Sequence, residues 1–214
     1  MRRTKEEAEN TRAAILTAAE LLFFKKGVSH TSLEQIARHA RVTRGAVYWH
    51  FKNKAHLFHE MLNQVRLPTE QIAKQISKCD PNNPILGLRQ LCTVVLINIS
   101  KDERKRRIVT ILHRRCEFTE DLREAEVRHE NFISEFIDLC EQLFSQPTIA
   151  QRLHPDLTPR MAALSIHAML LGLLYDLLRE PSLFDAKRVG AMFDALLRGL
   201  IIEQPHSDTF PIKP

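Results

Sequence analysis

The sequence predicts an all-α fold, and three observations carry that prediction. Apolar residues recur at three- and four-residue steps, only 6 of 214 residues are glycine, and the alternating β-branched runs that mark strands are scarce. With 44% hydrophobic residues, the chain can bury a sizeable core as one large domain or two small ones.

The first helix is expected over about residues 5–26, with Ile15, Ala18, Ala19, Leu22 and Phe23 on one stripe and Lys25-Lys26-Gly27 as its stop signal. Thr31 opens the second, because Thr31-Ser32-Leu33-Glu34 fits a capping box in which hydroxyl and carboxylate each satisfy an unpaired backbone amide. Leu33, Ile36, Ala37 and Ala40 give it an inward face, and it ends near His39. The turn Ala40-Arg41-Val42 leads to Thr43, which caps a third short helix of about Arg44 to His50. Two helices joined by so short a turn form a helix-turn-helix. Asn53 caps a fourth helix running from Lys54 through Leu57, Phe58, Met61, Leu62 and Val65, which Pro68 should kink or end.

Beyond the loop Asp80-Pro81-Asn82-Asn83-Pro84 the segments lengthen and become more apolar. Helices are expected at about 84–100, 103–115, 119–145, 159–179 and 186–203, parted by loops at Gln146-Pro147 and Glu180-Pro181-Ser182, for about nine helices in all. The predicted domains are a helix-turn-helix unit at 1–55, a larger helical unit at 56–205, and a tail at 206–214.

Charge is concentrated at one end. Residues 1–60 carry eleven Lys/Arg against six Glu, an excess that equals the formal charge of +5 for the whole chain and leaves the remainder neutral. Such a cationic end suits a polyanion such as DNA or an anionic membrane surface, or it is a solvated face. Cys79, Cys92, Cys116 and Cys140 have no short paired spacing, so neither a disulfide nor a zinc framework is expected. No leader pattern opens the chain and no uninterrupted apolar run reaches the roughly 18 residues of a membrane span, so a reducing, cytoplasmic protein without a membrane partner is expected.

The segment Val42 to Lys54 is the most informative. Arg44, Tyr48, Trp49, His50, Lys52 and Lys54 crowd within it, whereas only Ala46, Val47 and Phe51 offer an apolar side to pack inward. A helix this short spans about 10 Å, which fits the major groove, and Gly45 lets the backbone approach closely. Arg44 has the planar fork that matches guanine O6 and N7, while Lys52 and Lys54 are point charges suited to phosphate. Tyr48 and His50 can donate to phosphate oxygens; alternatively Tyr48 and Trp49 brace a three-helix bundle.

From Thr11-Arg12-Ala13-Ala14-Ile15-Leu16 through Phe23, Gly27, Thr31 and Ile36-Ala37 to Thr43-Arg44-Gly45-Ala46-Val47-Tyr48-Trp49-His50-Phe51-Lys52-Asn53-Lys54, the chain resembles the DNA-binding domain of the tetracycline-repressor (TetR) family. Arg107-Ile108, Ile111-Leu112-His113, Cys116-Glu117-Phe118 and the opening Met1-Arg2-Arg3-Thr4 resemble its AcrR-like branch, which represses multidrug efflux operons. The resemblance implies a homodimer on a palindromic double-stranded DNA operator, released by a small hydrophobic or aromatic ligand, with regulation of a metabolic operon by another ligand as the alternative. The candidate DNA contacts are Thr31, Ser32, Thr43, Arg44, Gly45, Tyr48, Trp49, His50, Lys52 and Lys54. Arg41 departs from the family pattern, in which a small residue or glycine occupies the turn, and either strains that turn or adds a phosphate contact.

The same resemblance places a ligand cavity in the second domain, with Leu91, Val95, Val109, His113, Phe132, Ile133, Phe136, His167 and Leu170 at pocket-like positions. It also places the dimer interface on the last two long helices, where Met161, Leu164, Ala168, Leu171, Leu174, Tyr175 and Leu178 join Val189, Met192, Phe193, Leu196, Leu197 and Leu200. An intramolecular core is the other reading of these positions. The basic run Arg104-Lys105-Arg106-Arg107 is either a salt-bridged helix face or a second DNA contact. Neither a cofactor nor a metal is expected. No G-x-S-x-G, P-loop, G-x-G-x-x-G or H-E-x-x-H motif supports an enzyme, and a metal sensor on His113 and Cys116 would need further ligands.

Overall fold

The computed structural model of the chain describes residues 5–67, 69–79 and 83–202. The expectations for Pro68, for most of the loop at 80–83 and for the tail at 206–214 fall outside the described residues. Among the described residues, eleven α-helices and two short 3-10 turns make up the fold, and no strand occurs.

Four helices form a head: α1 (Lys5–Lys26), α2 (Leu33–His39), α3 (Arg44–His50) and α4 (Lys54–Asn63). The α1 helix stops where Gly27 takes φ +88°, a left-handed conformation that costs glycine little. That turn changes the expected cap. Thr31 is buried and donates its hydroxyl to the Gly27 carbonyl at 2.8 Å, so the capping role passes to Ser32. Ser32 Oγ accepts from the Gln35 amide at 3.2 Å, and Gln35 Oε1 accepts from the Ser32 amide at 3.1 Å. Thr43 Oγ1 and Asn53 Oδ1 cap α3 and α4 as predicted, accepting from Ala46 and His56 at 3.1 and 2.7 Å. The helix α4 ends before Val65, and Ile15, Phe23, Ile36, Val47, Phe51, Phe58 and Met61 bury themselves together inside the head.

The body comprises α5 (Thr69–Cys79), α6 (Pro84–Lys101), α7 (Glu103–Arg114), α8 (Arg123–Phe144), α9 (Pro147–Ala150), α10 (Pro159–Arg179) and α11 (Ala186–Leu200). The sequence reading missed α5, because its inward face consists of Ile72 and Ile76, one pair spaced too sparsely to show a period. It packs very close to α6: a Cβ on Gly87 would lie 2.4 Å from the Ile76 carbonyl oxygen. The expected single helix from 119 splits into a 3-10 turn, Glu120–Leu122, followed by α8. A one-turn helix, α9, occupies the expected Gln146-Pro147 loop, because Pro147 suits a first helical turn.

Head and body are joined through α7. Its Ile108 and Ile111, with Leu122 and Ala125, complete the head core. Glu20 of α1 is 1% exposed, and its carboxylate receives Arg104 Nε at 2.8 Å and Arg107 Nη1 at 3.0 Å, while Arg104 also donates to Gln64 Oε1 at 2.7 Å. Two members of the basic run thus pin α7 to the head, which answers the choice between a salt-bridged face and a DNA contact for Arg104 and Arg107. By length and composition alone α10 is apolar enough to cross a membrane, but Ser165, His167 and Asp176 interrupt it, so the expectation that no apolar run reaches about 18 residues stands.

Candidate nucleic-acid interface and internal cavity

The helix α3 presents its polar side outward. Val47 turns inward with no exposure, Arg44 and Gly45 are exposed, Tyr48 is 46% exposed and Trp49 reaches 73%. An indole this bare is not packed into the three-helix bundle, so Trp49 does not brace it. Arg44 Nη2 donates to Tyr48 Oη at 3.3 Å, and its guanidinium lies 5.4 Å from the Tyr48 ring centre, so the two side chains form one exposed unit. The ring of His50 is half-buried and meets Trp49 edge to face at 4.5 Å. Ser32, Thr43 and Lys52 are exposed, at the starts of α2 and α3 and just past the end of α3.

Two predicted DNA contacts are turned elsewhere. Thr31 is buried with its hydroxyl on Gly27, closing the turn after α1. Lys54 keeps only 13% of its side chain exposed: Nζ donates to the carbonyls of Val28 and Ser29 at 3.2 and 3.4 Å and pairs with Asp121 at 2.7 Å. Its charge ties head to body, and the lysine available for phosphate is Lys52. Arg41 has φ +56°, the left-handed region that costs an L-residue about 1–2 kcal/mol, so the turn is strained there.

Inside the body is a cavity of about 200 Å³. All nine residues at the predicted pocket positions, Leu91, Val95, Val109, His113, Phe132, Ile133, Phe136, His167 and Leu170, line it. They converge from α6, α7, α8 and α10. Burial lowers the pKa of both His113 and His167, with the charges of Arg66 and Arg114 adding to the effect on His113, so both imidazoles are neutral at pH 7. His113 lies edge to face against Tyr175, with ring centres 5.2 Å apart.

Sequence reading missed the lining residues at the end of α4, namely Leu62, Val65, Arg66 and Leu67, and also His129. Arg66 donates to His129 Nδ1 and stacks over the Phe132 ring at 4.8 Å. Burial and the Arg66 charge bring the His129 pKa down to about 4. In sequence, an arginine just past a helix looks like a solvated C-terminal cation, so only the packing of α4 against α8 reveals Arg66 as a lining residue.

The exposed apolar residues of the last two long helices, Met161, Leu164 and Tyr175 on α10 and Met192 on α11, form outward stripes with Ala168, Gly172 and Ala195. Val189, Phe193, Leu197 and Leu200 are instead buried within the single chain, so for these four the intramolecular reading holds.

The chain matches two family models: "Bacterial regulatory proteins, tetR family" over residues 15–61, and "MAATS-type transcriptional repressor, C-terminal region" over residues 83–201. It is 35% identical to the HTH-type transcriptional regulator AcrR of Shigella flexneri, over 92% of this chain and 91% of that protein. Among solved structures it is similar to NalD, the secondary repressor of the MexAB-OprM multidrug efflux pump in Pseudomonas aeruginosa, with 55% identity, a TM-score of 0.86, and coverage of 94% of this chain and 100% of that one. It is also similar to the complex of triclosan with SmeT, a Stenotrophomonas maltophilia multidrug efflux repressor, with 32% identity, a TM-score of 0.75, and coverage of 95% and 99%.

Proposed function

The chain belongs to the tetR family of bacterial regulatory proteins, and from that premise we propose that it is a cytoplasmic, dimeric repressor of a multidrug efflux operon, released from DNA by small hydrophobic or aromatic compounds. The relatives named as efflux-pump repressors favour this reading over control of a metabolic operon. The observation that carries it is the position of α4. Its start is capped by Asn53 directly after α3, where His56 Nδ1 accepts the Lys52 amide at 3.2 Å, and its end lines the cavity through Leu62 and the residues that follow. One rod therefore touches both the DNA-reading surface and the ligand space.

A dimer built on the outward stripes of α10 and α11 would set two copies of α3 in successive major grooves of a palindromic site. Arg44 and Tyr48 would read base edges, Trp49 would pack on the sugar-phosphate backbone, and Ser32, Thr43 and Lys52 would hold phosphates. A compound filling the cavity pushes the end of α4 and shifts the heads out of register, so ligand and operator oppose each other reciprocally. The SmeT–triclosan complex supports an aromatic ligand. The head core runs through α4 to Leu62, so we draw the boundary between head and body after α4 rather than at residue 55.

A fluorescence-anisotropy titration on duplexes from the upstream intergenic region tests the proposal. Affinity should fall steeply between low and moderate salt. Arg44→Ala should lose about 1–3 kcal/mol on the specific site while the protein stays dimeric. A monomer indifferent to every duplex would overturn the reading, and an equal loss on random DNA would remove Arg44 from base recognition.

A further inference from the structure

Among the described residues that line the cavity, Arg66 is the only one with a fixed charge. The others are apolar side chains, the buried thiol of Cys92, and the imidazoles of His113, His129 and His167, all with pKa values lowered by burial. Burying a lone cation is costly unless it is paired. No carboxylate among the described residues stands within the 4.0 Å of an ion pair to Arg66. What the guanidinium does have is His129 Nδ1, a neutral acceptor, and the face of Phe132 at 4.8 Å. Its pKa drops to about 10 through burial, which still leaves it charged at pH 7.

Arg66 also lies between two spaces. With Leu67 and Phe132 it lines both the cavity and an outer groove, where Arg128 and Glu135 offer opposite charges. A guanidinium has five N–H donors in a planar fork, and one neutral imidazole nitrogen can accept only one of them. The fork fits an oxyanion, which takes two parallel hydrogen bonds and supplies the countercharge that the apolar walls lack.

Resting on the cavity being the inducer site, we propose that Arg66 makes it selective for acids: the ligand is an aromatic or apolar compound bearing one anionic group, a carboxylate or an ionised phenol, seated on the guanidinium with its apolar part among Leu91, Val95, Phe136 and Leu170. Because Arg66 lies just past α4, an anion drawn to it acts directly on the rod that carries the recognition helix.

The test uses the full chain and two probes of the same ring and nearly the same volume, 2-naphthoate and its neutral counterpart 2-naphthamide, titrated by calorimetry at pH 7. The wild type should bind the naphthoate about tenfold more tightly or better, the range of one charge-assisted contact. Arg66→Met, which keeps the side-chain length, should abolish the preference by weakening naphthoate about tenfold and naphthamide by less than about twofold. Arg66→Gln serves if the methionine variant does not fold, and Arg66→Lys should keep part of the preference. Equal wild-type affinities, or equal losses of both probes in the variant, would overturn the proposal. Naphthamide bound and naphthoate refused would end it while leaving the inducer site standing. Operator binding with neither probe taken up would remove the inducer site as well.

Discussion

Where the head closes Phe23, Phe51 and Phe58 off from solvent and sets Phe23 edge to face on Phe58 at 6.0 Å, the body leaves about 200 Å³ unfilled between helices of similar apolar content. Apolar content is therefore not what decides packing quality here. The head is a positioning device: a short α3 reads DNA only if α1, α2 and α4 hold it rigidly, and close packing supplies that rigidity. The body has to admit a guest, so part of its possible dispersion energy is left unmade until something enters.

The same truncation applied to both regions is the strongest test of that contrast. Phe58→Ala in the head should cost about 3–5 kcal/mol, as expected for a fully packed aromatic. Phe136→Ala, at the cavity wall, should cost roughly half of that, because its ring already faces empty space on one side. Urea unfolding of the two variants reads the difference, and equal losses would mean that the cavity is closed in solution.

A smaller effect should appear in acid, and it belongs to the body. His129 has a folded pKa of about 4 against an ordinary 6.5, so the unfolded chain takes up the proton first. Stability from this group is therefore complete above pH 6.5 and is lost as pH falls toward about 4. His113 and His167 push in the same direction. Melting temperatures followed from pH 7 to 4 should fall less for His129→Asn than for the wild type, and an unchanged slope would show His129 to be solvated.

The smallest expected change lies in the head, at the turn between α2 and α3. Arg41→Gly should remove the left-handed strain at φ +56°, a gain partly offset by the freer unfolded chain, for a net stabilisation of about 0.5–1 kcal/mol. Operator affinity should stay constant. A drop in affinity with a shallower salt dependence would instead assign Arg41 to a phosphate.

The head was legible because its signals are local. Thr43 and Asn53 announce two helix starts within a turn of the residues they cap, and the crowding of Arg44, Tyr48 and Trp49 on a short helix leaves no inward side for them. One slip there, Thr31 in place of Ser32, exchanged two adjacent hydroxyls whose roles depend on where the Gly27 carbonyl points. The nine predicted cavity positions came from the family resemblance, whereas no periodicity could have found Arg66 or His129.

The sequence by itself determined the helical class, the helix-turn-helix, the cationic end and the apolar stripes of the last two long helices, since each follows from hydrogen bonds and spacings within a few residues. Only the tertiary structure decided which charges remain available: Lys54 is held by Asp121, Arg104 and Arg107 by Glu20, and Arg66 faces a cavity. The physical reason is that a side chain's electrostatic role is set by its burial and its partners, and here those partners come from helices distant in sequence.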